Sequence, residues 1–247
     1  MPEAMAMLPY TIVATQTVAV AVQAIDQNGC VVAPTYPIGN KPGSYNNNVF
    51  LWKSDINPPQ MLPWFTAAFA SAAMVDGIPT ATVTGPNGTL PAQPYVLGYS
   101  VGPSLTTPPA GSTAYPNVCA TIMISQNFKD FVAYQPSVGV NGLSTYSAAI
   151  SFSLPQGIMP STTGAWVGIW MNVTPPYTPM GAPQGFAQVN TPNSSGQVTV
   201  TIANGLSAGV TYTAALFTSG YAANPSNLTT TALAATVSFL VGQPPLG

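Results

Sequence analysis

Hydrophobic and polar residues alternate along residues 197–203 (QVTVTIA). Val198, Val200 and Ile202 occupy every second position, and Gln or Thr fills the positions before and between them. A period of two places the apolar set on one face of a β-strand and the polar set on the other. The segment is therefore predicted to be a strand with one buried face and one face in water.

Similar short apolar runs recur through the second half of the chain. Turn-like segments rich in Pro, Gly, Asn and Ser separate them. Six or seven short strands at such spacing are typical of a β-sandwich. Besides 197–203, the predicted strands are residues 145–154, 165–173, 185–190, 211–218 and 235–241.

The first half of the chain has a comparable pattern. Residues 10–25 are β-branched and partly alternating, which predicts one long strand. The sequence Asp26-Gln27-Asn28-Gly29 then predicts a tight turn. Residues 61–75 fit either a short helix or buried strands, and the Pro-rich residues 102–116 predict an exposed loop. Further strands are predicted at residues 48–52, 80–84, 94–101 and 118–125.

One segment of the second half carries a more specific signal. Leu206 is followed three residues later by Gly209 and six residues later by Tyr212, just before a predicted strand. This spacing resembles fibronectin type III domains, in which the Tyr forms a corner by bonding its hydroxyl to the backbone just upstream. Ala208 stands where that family usually has Pro.

The resemblance covers residues from about 140 to 243 and implies an immunoglobulin-like sandwich. It also implies a Trp on an earlier strand, a place that Trp166 or Trp170 can fill. The composition becomes charge-free near residues 135–144, where we place a domain boundary. We predict an all-β chain with two sandwich domains, a jelly-roll or immunoglobulin-like domain at 1–135 and a fibronectin type III or immunoglobulin-like domain at 136–247.

Only 3% of the 247 residues are charged, whereas ordinary soluble domains have roughly a quarter. There are five Asp or Glu, three Lys, no Arg and no His. The lack of His excludes the usual Ser-His and Cys-His catalytic pairs, and two Cys cannot complete a four-ligand zinc site. Three Lys cannot neutralise a nucleic-acid backbone. We expect no enzymatic activity, no metal, no cofactor and no nucleic-acid partner.

All eight charged side chains lie in residues 1–130, so residues 131–247 carry none. Solubility then depends on Ser, Thr, Asn and Gln. In strong acid such a chain accumulates few positive charges, so the repulsion that unfolds ordinary proteins stays small. We infer adaptation to an acidic exterior. The alternative is that low charge favours dry packing between subunits, because near-zero net charge promotes association.

Targeting signals are weak in this sequence. Residues 1–26 lack a basic region, and polar residues interrupt their apolar stretch, as is untypical of a signal peptide. Residues 61–75 are too short for a transmembrane helix, which needs about 18 to 20 apolar residues. A virion component, which is made and assembled inside the cell, would need neither feature.

As a whole the chain resembles surface structural proteins of viruses that infect thermoacidophilic archaea, with β-sandwich modules, abundant Pro and Thr and almost no charge. The resemblance implies a non-enzymatic capsid, turret, spike or tail subunit in a hot, acidic exterior. Its expected partners are copies of itself, other proteins of the particle and a host-surface glycan or receptor. The alternative is an extracellular archaeal filament or surface-layer subunit, in which residues 10–22 complete the sheet of a neighbour.

Few side chains offer chemistry. Asp26, Asp55 and Asp76 are the carboxylates that a metal site or a glycosidase would use. Asp26 and Asp76 stand next to Gly-containing turns, where Asp ordinarily bonds to nearby backbone. We therefore predict turn positions for them. Two neighbouring pairs of opposite charge are predicted to be exposed pairs, Lys53 with Asp55 and Lys129 with Asp130.

Three further sets of residues are candidates for binding or modification. An aromatic set is either a carbohydrate-binding face, in a third function class, or core: Phe50, Trp52, Trp64, Phe65 and Phe69. Cys30 and Cys119 either form a disulfide, worth about 4 to 5 kcal/mol in the chain-entropy model, or stay buried thiols. Four glycosylation sequons occur, about the number expected by chance, at Asn87, Asn172, Asn193 and Asn227.

Overall fold

A computed structural model describes residues 7–38, 40, 42–53, 65–68, 81–84, 87–102, 117–171 and 181–243. Its elements are almost all strands. In the first half they are β1 (Tyr10–Thr17), β2 (Ala19–Asp26), β3 (Gly29–Thr35), β4 (Asn48–Lys53), β5 (Phe65–Ala68), β6 (Ala81–Val83), β7 (Tyr95–Ser100), β8 (Val118–Ile124) and β9 (Phe131–Tyr134). The second half contains β10 (Ser137–Ser144), β11 (Ser147–Ser153), α1 (Pro160–Thr163), β12 (Trp166–Met171), β13 (Gly185–Gln188), β14 (Ser195–Thr201), β15 (Thr211–Phe217), a 3₁₀ helix (Pro225–Asn227) and β16 (Leu233–Val241).

The strands form four antiparallel sheets, as the prediction of an all-β fold requires. The three-stranded sheet β10-β11-β14 shares one apolar core with the five-stranded sheet β1-β16-β15-β12-β13, in which every strand except β1 comes from the second half. This unit is called the second sandwich below. Its core contains Val138 and Ile150 from the first sheet, and Val167, Leu216 and Phe239 from the second. Apart from β1, three strands face four, the kind of architecture that the fibronectin type III resemblance implies.

A second pair of sheets lies in the first half of the chain. The sheet β2-β3-β6 and the sheet β5-β4-β7-β8-β9 share a core that includes Val32, Leu51, Tyr95, Leu97 and Ile122. This unit is called the first sandwich. Its strands include those predicted at residues 48–52, 80–84, 94–101 and 118–125. The tight turn is also confirmed, because Asp26 pairs with Gly29 at the end of the β2–β3 hairpin.

Two segments differ from the sequence-based expectation. Residues 10–25 are not one strand: β1 pairs with β16 of the second sandwich, whereas β2 pairs with β3 of the first. Residues 135–144, expected to be a boundary, consist largely of β10, whose alternate residues Val138 and Val140 are buried. The division into domains at residue 135 stays a prediction. β1 precedes that residue in the chain, but it pairs with a strand of the second sandwich.

Two other predicted segments lie largely outside the described residues. Within 61–75, the structure describes only the strand β5. Within 102–116, it describes only Gly102.

Candidate functional site

The segment Met7–Thr17 lies in a groove between β10 and β16, which flank one side of the second sandwich. On the β16 side, β1 forms an antiparallel ladder that runs from Tyr10 opposite Val241 to Thr17 opposite Ala235. On the β10 side, the Leu8 N–H donates a 2.8 Å hydrogen bond to the Leu143 carbonyl. The segment therefore bonds the edge strands of both sheets and closes the open side of the sandwich between them.

Side chains fix this segment in the groove. The Tyr10 hydroxyl donates a 2.7 Å bond to the Val140 carbonyl of β10. Leu8 and Tyr10 are half-buried and pack against the core of the second sandwich. The Met7 methyl group fits over Gly142, where an added Cβ would lie 2.4 Å from Met7 Cε. The groove is therefore shaped for this segment in at least three places.

The outer surface of β1 is open. Residues 11–15 are all exposed, including two large apolar side chains, Ile12 and Val13, which are 44% and 50% exposed. The ladder with β16 shifts register between Ile12 and Ala14, which marks a β-bulge. β1 is also the last strand of its sheet. Within the described part of the chain, this is an apolar sheet edge without a covering strand.

The chain passes from β1 to β2, and from one sandwich to the other, through the single residue Val18. Val18 is fully buried, and its N–H donates a 2.8 Å bond to the Ala234 carbonyl of β16. Nearby, the Thr17 hydroxyl donates a 2.6 Å bond to the Pro136 carbonyl. Both covalent connections between the sandwiches, at Val18 and near Pro136, thus meet beside the start of β16.

The two sandwiches are also joined by buried, uncharged polar groups. Across the junction, the Asn40 amide donates a 3.5 Å bond to the Leu233 carbonyl, and the Thr218 hydroxyl donates a 3.2 Å bond to the Asn117 side-chain oxygen. On the side of the first sandwich, the Asn47 amide holds Asn40 by donating to its side-chain oxygen (3.0 Å). Amide and hydroxyl groups of this kind do not titrate in the acidic range.

The carboxylates do not form a described cluster. Asp26 accepts bonds from the Asn28 N–H (2.7 Å) and the Gly29 N–H (3.2 Å), as the turn prediction requires. The Asn28 bond is the main cause of the lowered pKa of Asp26. Asp55 and Asp76 lie outside the described residues. Among the residues that the structure describes, no group of three or more His, Cys, Asp or Glu could hold a metal ion.

The other charged residues that the structure describes, Lys53, Lys129 and Asp130, lie at the surface. Lys53 ends β4 and is exposed, and its predicted partner Asp55 is not described. Lys129 and Asp130 are exposed in the turn between β8 and β9. In that turn the Lys129 N–H donates to the Asn127 side chain, and the Asp130 N–H donates to the Ser125 hydroxyl.

Of the two alternatives for the aromatic set, the core position holds for the two residues whose side chains are described. Phe50 and Trp52 are each only 2% exposed and pack with Val96 and Val118 on the five-stranded sheet of the first sandwich. The interpretation of these two residues as a carbohydrate-binding face is wrong, because they are covered by protein. Trp64 and Phe69, together with the side chain of Phe65, lie outside the described residues.

Cys30 and Cys119 are both buried, and the structure holds them as free thiols in the core of the first sandwich. Of the two alternatives, it therefore contains the buried thiols and not the disulfide. Burial raises the pKa of Cys30 to about 12, and it raises the pKa of Cys119 as well. Such thiols are inert at neutral pH, because the thiolate is the reactive form.

The described sequon residues lie at the surface. Asn87, Asn193 and Asn227 are exposed, and Asn172 lies outside the described residues.

The tyrosine corner lies at the start of β15. The Ser207 N–H donates a 3.0 Å bond to the Tyr212 hydroxyl. Tyr212 is fully buried, Leu206 is 7% exposed, and Gly209 has φ +76°, a left-handed conformation that favours glycine.

Both Trp residues lie on an earlier strand, as the resemblance implies, but they lie outside the core between the sheets. Trp166 and Trp170 lie on β12, but its core-facing residues are Val167 and Ile169. Both Trp side chains instead pack on the outer face of the sheet, in a cluster with Phe217. Trp166 stacks on Phe217 with ring centroids 4.2 Å apart. The sandwich therefore has a second, smaller core outside its sheet.

No protein-family model and no curated protein matches the chain. One solved structure to which it has some similarity is described as "Biofilm associated protein - BSP domain". The match has 12% sequence identity and a TM-score of 0.22, and it covers 77% of this chain and 25% of the other. The chain thus spans about a quarter of that structure's length. In the described part of the chain, no helix has the length and apolar character to cross a membrane.

Proposed function

We propose that this chain is a non-enzymatic structural subunit of an extracellular assembly, built largely from copies of itself. The observation that carries the proposal is the segment Met7–Thr17, which completes the second sandwich as an added strand in the groove between β10 and β16. Strand addition at a sheet edge supplies many backbone hydrogen bonds without charged side chains. It therefore suits a chain in which only 3% of residues are charged.

The electrostatics support an acidic exterior for this assembly. The described side-chain bonds across the junction, from Asn40 to Leu233 and from Thr218 to Asn117, use amide and hydroxyl groups, which do not titrate in acid. Residues 131–247 contain no titratable Asp, Glu, Lys, Arg or His side chain. Acid therefore alters few of the interactions that maintain the fold.

Of the two candidate assemblies, the groove favours a filament or surface layer in which an added strand joins each subunit to the next. A virion subunit is the second candidate, and the charge-free second half favours it as a surface packed among neighbours. A closed shell of defined size indicates the virion subunit. An open polymer indicates the filament or layer.

The experiment is to observe the purified full-length chain between pH 2 and pH 7. Light scattering after size-exclusion chromatography gives its mass, and negative-stain electron microscopy gives the form of any assembly. We expect ordered particles or filaments of many copies. A protein that stays monomeric at every pH and at high concentration would contradict the proposal.

A further inference from the structure

We propose that the segment Met7–Thr17 is exchanged between copies, so that the groove between β10 and β16 of one copy holds the β1 strand of the next. The inference rests on the proposed function, since it specifies how the subunits are joined. It names a second copy of this chain as the partner and β1 as the part that it contributes.

The contacts of the segment support exchange because they form a self-contained set. Leu8, Tyr10 and Thr17 bond the backbone of Leu143, Val140 and Pro136 respectively, and β1 pairs with β16 along its length. All these partners belong to the second sandwich or to the connection just before it. A neighbour's segment with the same sequence would make the same contacts. One contact lies outside this set. The Ile38 N–H donates a 2.9 Å bond to the Gln16 side chain, at the end of the segment nearest Val18.

The groove itself identifies the occupant. A Cβ at position 142 would clash with the Met7 side chain, and the Val140 carbonyl faces the Tyr10 hydroxyl. Leu8 and Tyr10 pack on the core beside them. These features fit the side chains of Met7, Leu8 and Tyr10. The occupant is therefore this segment, from the same copy or from another.

The connection to β2 favours the other copy. A chain that changes sheets usually does so at a turn containing Gly, Pro, Asn or Asp, as at Asp26-Gln27-Asn28-Gly29. Residues 16–20 (QTVAV) contain none of these and continue the strand-like pattern from β1 into β2. Short connections of this kind promote exchange. Opening this one alters the contacts at the hinge, which are the bond from the Val18 N–H to the Ala234 carbonyl and the bond from the Ile38 N–H to the Gln16 side chain. Straightened at Val18, residues 10–25 become the single long strand that their sequence pattern predicts.

The geometry of the exchange determines the assembly. Two copies that exchange segments with each other form a closed dimer, whereas a copy that donates to one neighbour and accepts from another makes a head-to-tail contact. Such contacts produce a ring if the rotation between copies closes and a filament if it does not. A filament joined through this groove would be an extracellular assembly of the proposed kind.

The test is a pair of cysteines across the β1–β16 ladder. Thr11 and Leu240 are directly opposite each other and both exposed. Opposite Cα atoms in such a pair lie about 4.5 to 5.5 Å apart, within the range of about 4.4 to 6.8 Å that a disulfide bridges. The double variant T11C/L240C is assembled under reducing conditions, oxidised and run on a non-reducing denaturing gel. The native thiols of Cys30 and Cys119 are buried and do not compete.

We expect oxidation of the assembled T11C/L240C protein to give a ladder of covalent multimers. The matched control is A149C/T199C, an opposite pair across β11 and β14 within one sandwich, which is expected to run as a monomer. A mixture of the single variants T11C and L240C, assembled together, should give covalent dimers that contain one of each. Assemblies in which T11C/L240C yields only monomers would overturn the exchange and leave the proposed function standing.

A second measurement uses the same variant before assembly. Oxidation of monomeric T11C/L240C should fix each strand in its own groove and abolish assembly, and a reducing agent should restore it. Full assembly of the oxidised monomer would contradict the exchange. Failure of the wild-type chain to assemble at all would instead refute the proposed function.

Discussion

Replacement of Gly168 by Ala tests the outer aromatic core of the second sandwich. Gly168 lies on β12 between the two Trp residues. A Cβ built at this position would lie 2.4 Å from Trp170 Cη2 and 2.7 Å from Trp166 Cζ3. These distances are far below van der Waals contact, so both rings must move. Both Trp side chains are buried and are further fixed by hydrogen bonds from their indole N–H groups to the Ser219 and Gly181 carbonyls.

The magnitude follows from this crowding. Overpacking of a well-packed core costs about 1 to 3 kcal/mol, and we expect G168A to lie in the upper part of that range because two fixed rings are displaced. For a chain of this size each kcal/mol lowers Tm by about 2 to 4 °C. The stacking of Trp166 on Phe217 should also be disturbed, since the rings lie only 4.2 Å apart.

The assay is thermal and urea unfolding followed by tryptophan fluorescence and near-ultraviolet circular dichroism. Gly181→Ala is the matched control, because a Cβ at Gly181 meets no heavy atom of the described residues within 4 Å. We expect G181A to unfold like the wild type and G168A to unfold at lower temperature, with altered near-ultraviolet signals. Equal stability of G168A and the wild type would refute the placement of the two Trp rings over Gly168.

Three further predictions concern the corner, acid and the thiols. Tyr212→Phe removes the acceptor of the Ser207 N–H and should cost about 0.5 to 1.5 kcal/mol in urea unfolding, whereas Y146F, at an exposed tyrosine, should cost nothing measurable. Near-ultraviolet circular dichroism should persist from pH 7 to about pH 2. Because the pKa of Asp26 is lowered in the folded state, its contribution to stability is present above its unfolded pKa and is lost as pH falls through the folded pKa, but this affects one exposed turn. A cooperative loss of the signal near pH 4 would contradict the reasoning. Cys30 and Cys119 should not react with a thiol reagent at pH 8 until the chain is denatured, and rapid reaction of the native protein would refute their burial.

The strands of the second sandwich could be predicted because their signal is local. In β14, every second residue faces the core, and the turns that bound it are rich in Gly, Asn and Ser. β10 was not predicted, because Gly139, Asn141 and Gly142 resemble a turn. The structure gives the physical reason for two of them: a Cβ at Gly139 would meet the Ser151 hydroxyl at 2.9 Å, and one at Gly142 would meet Met7.

Sheet membership could not be predicted, since it depends on partners distant in sequence. The alternation in residues 10–25 continues through Val18, yet the two sides of that residue belong to different sheets. The Trp residues of β12 illustrate the same limit. When both faces of a strand are apolar, alternation identifies two sets but not which one faces the inter-sheet core. The sequence therefore allowed the prediction that the strand at residues 10–22 leaves its domain. It did not allow a prediction of the groove between β10 and β16 that holds this strand.

The low charge of the chain has two explanations, adaptation to acid and dry packing between copies, and the structure assigns them to different surfaces. On β14, Gln197, Thr199 and Thr201 are exposed, which makes a neutral polar face suited to water at any pH. On β1, Ile12 and Val13 are exposed at a sheet edge. Proteins usually protect such an edge with Lys or Pro, because an open apolar edge recruits other strands. β1 contains neither residue, so its outer edge is left open to association between copies, which is the surface that the dry-packing explanation requires.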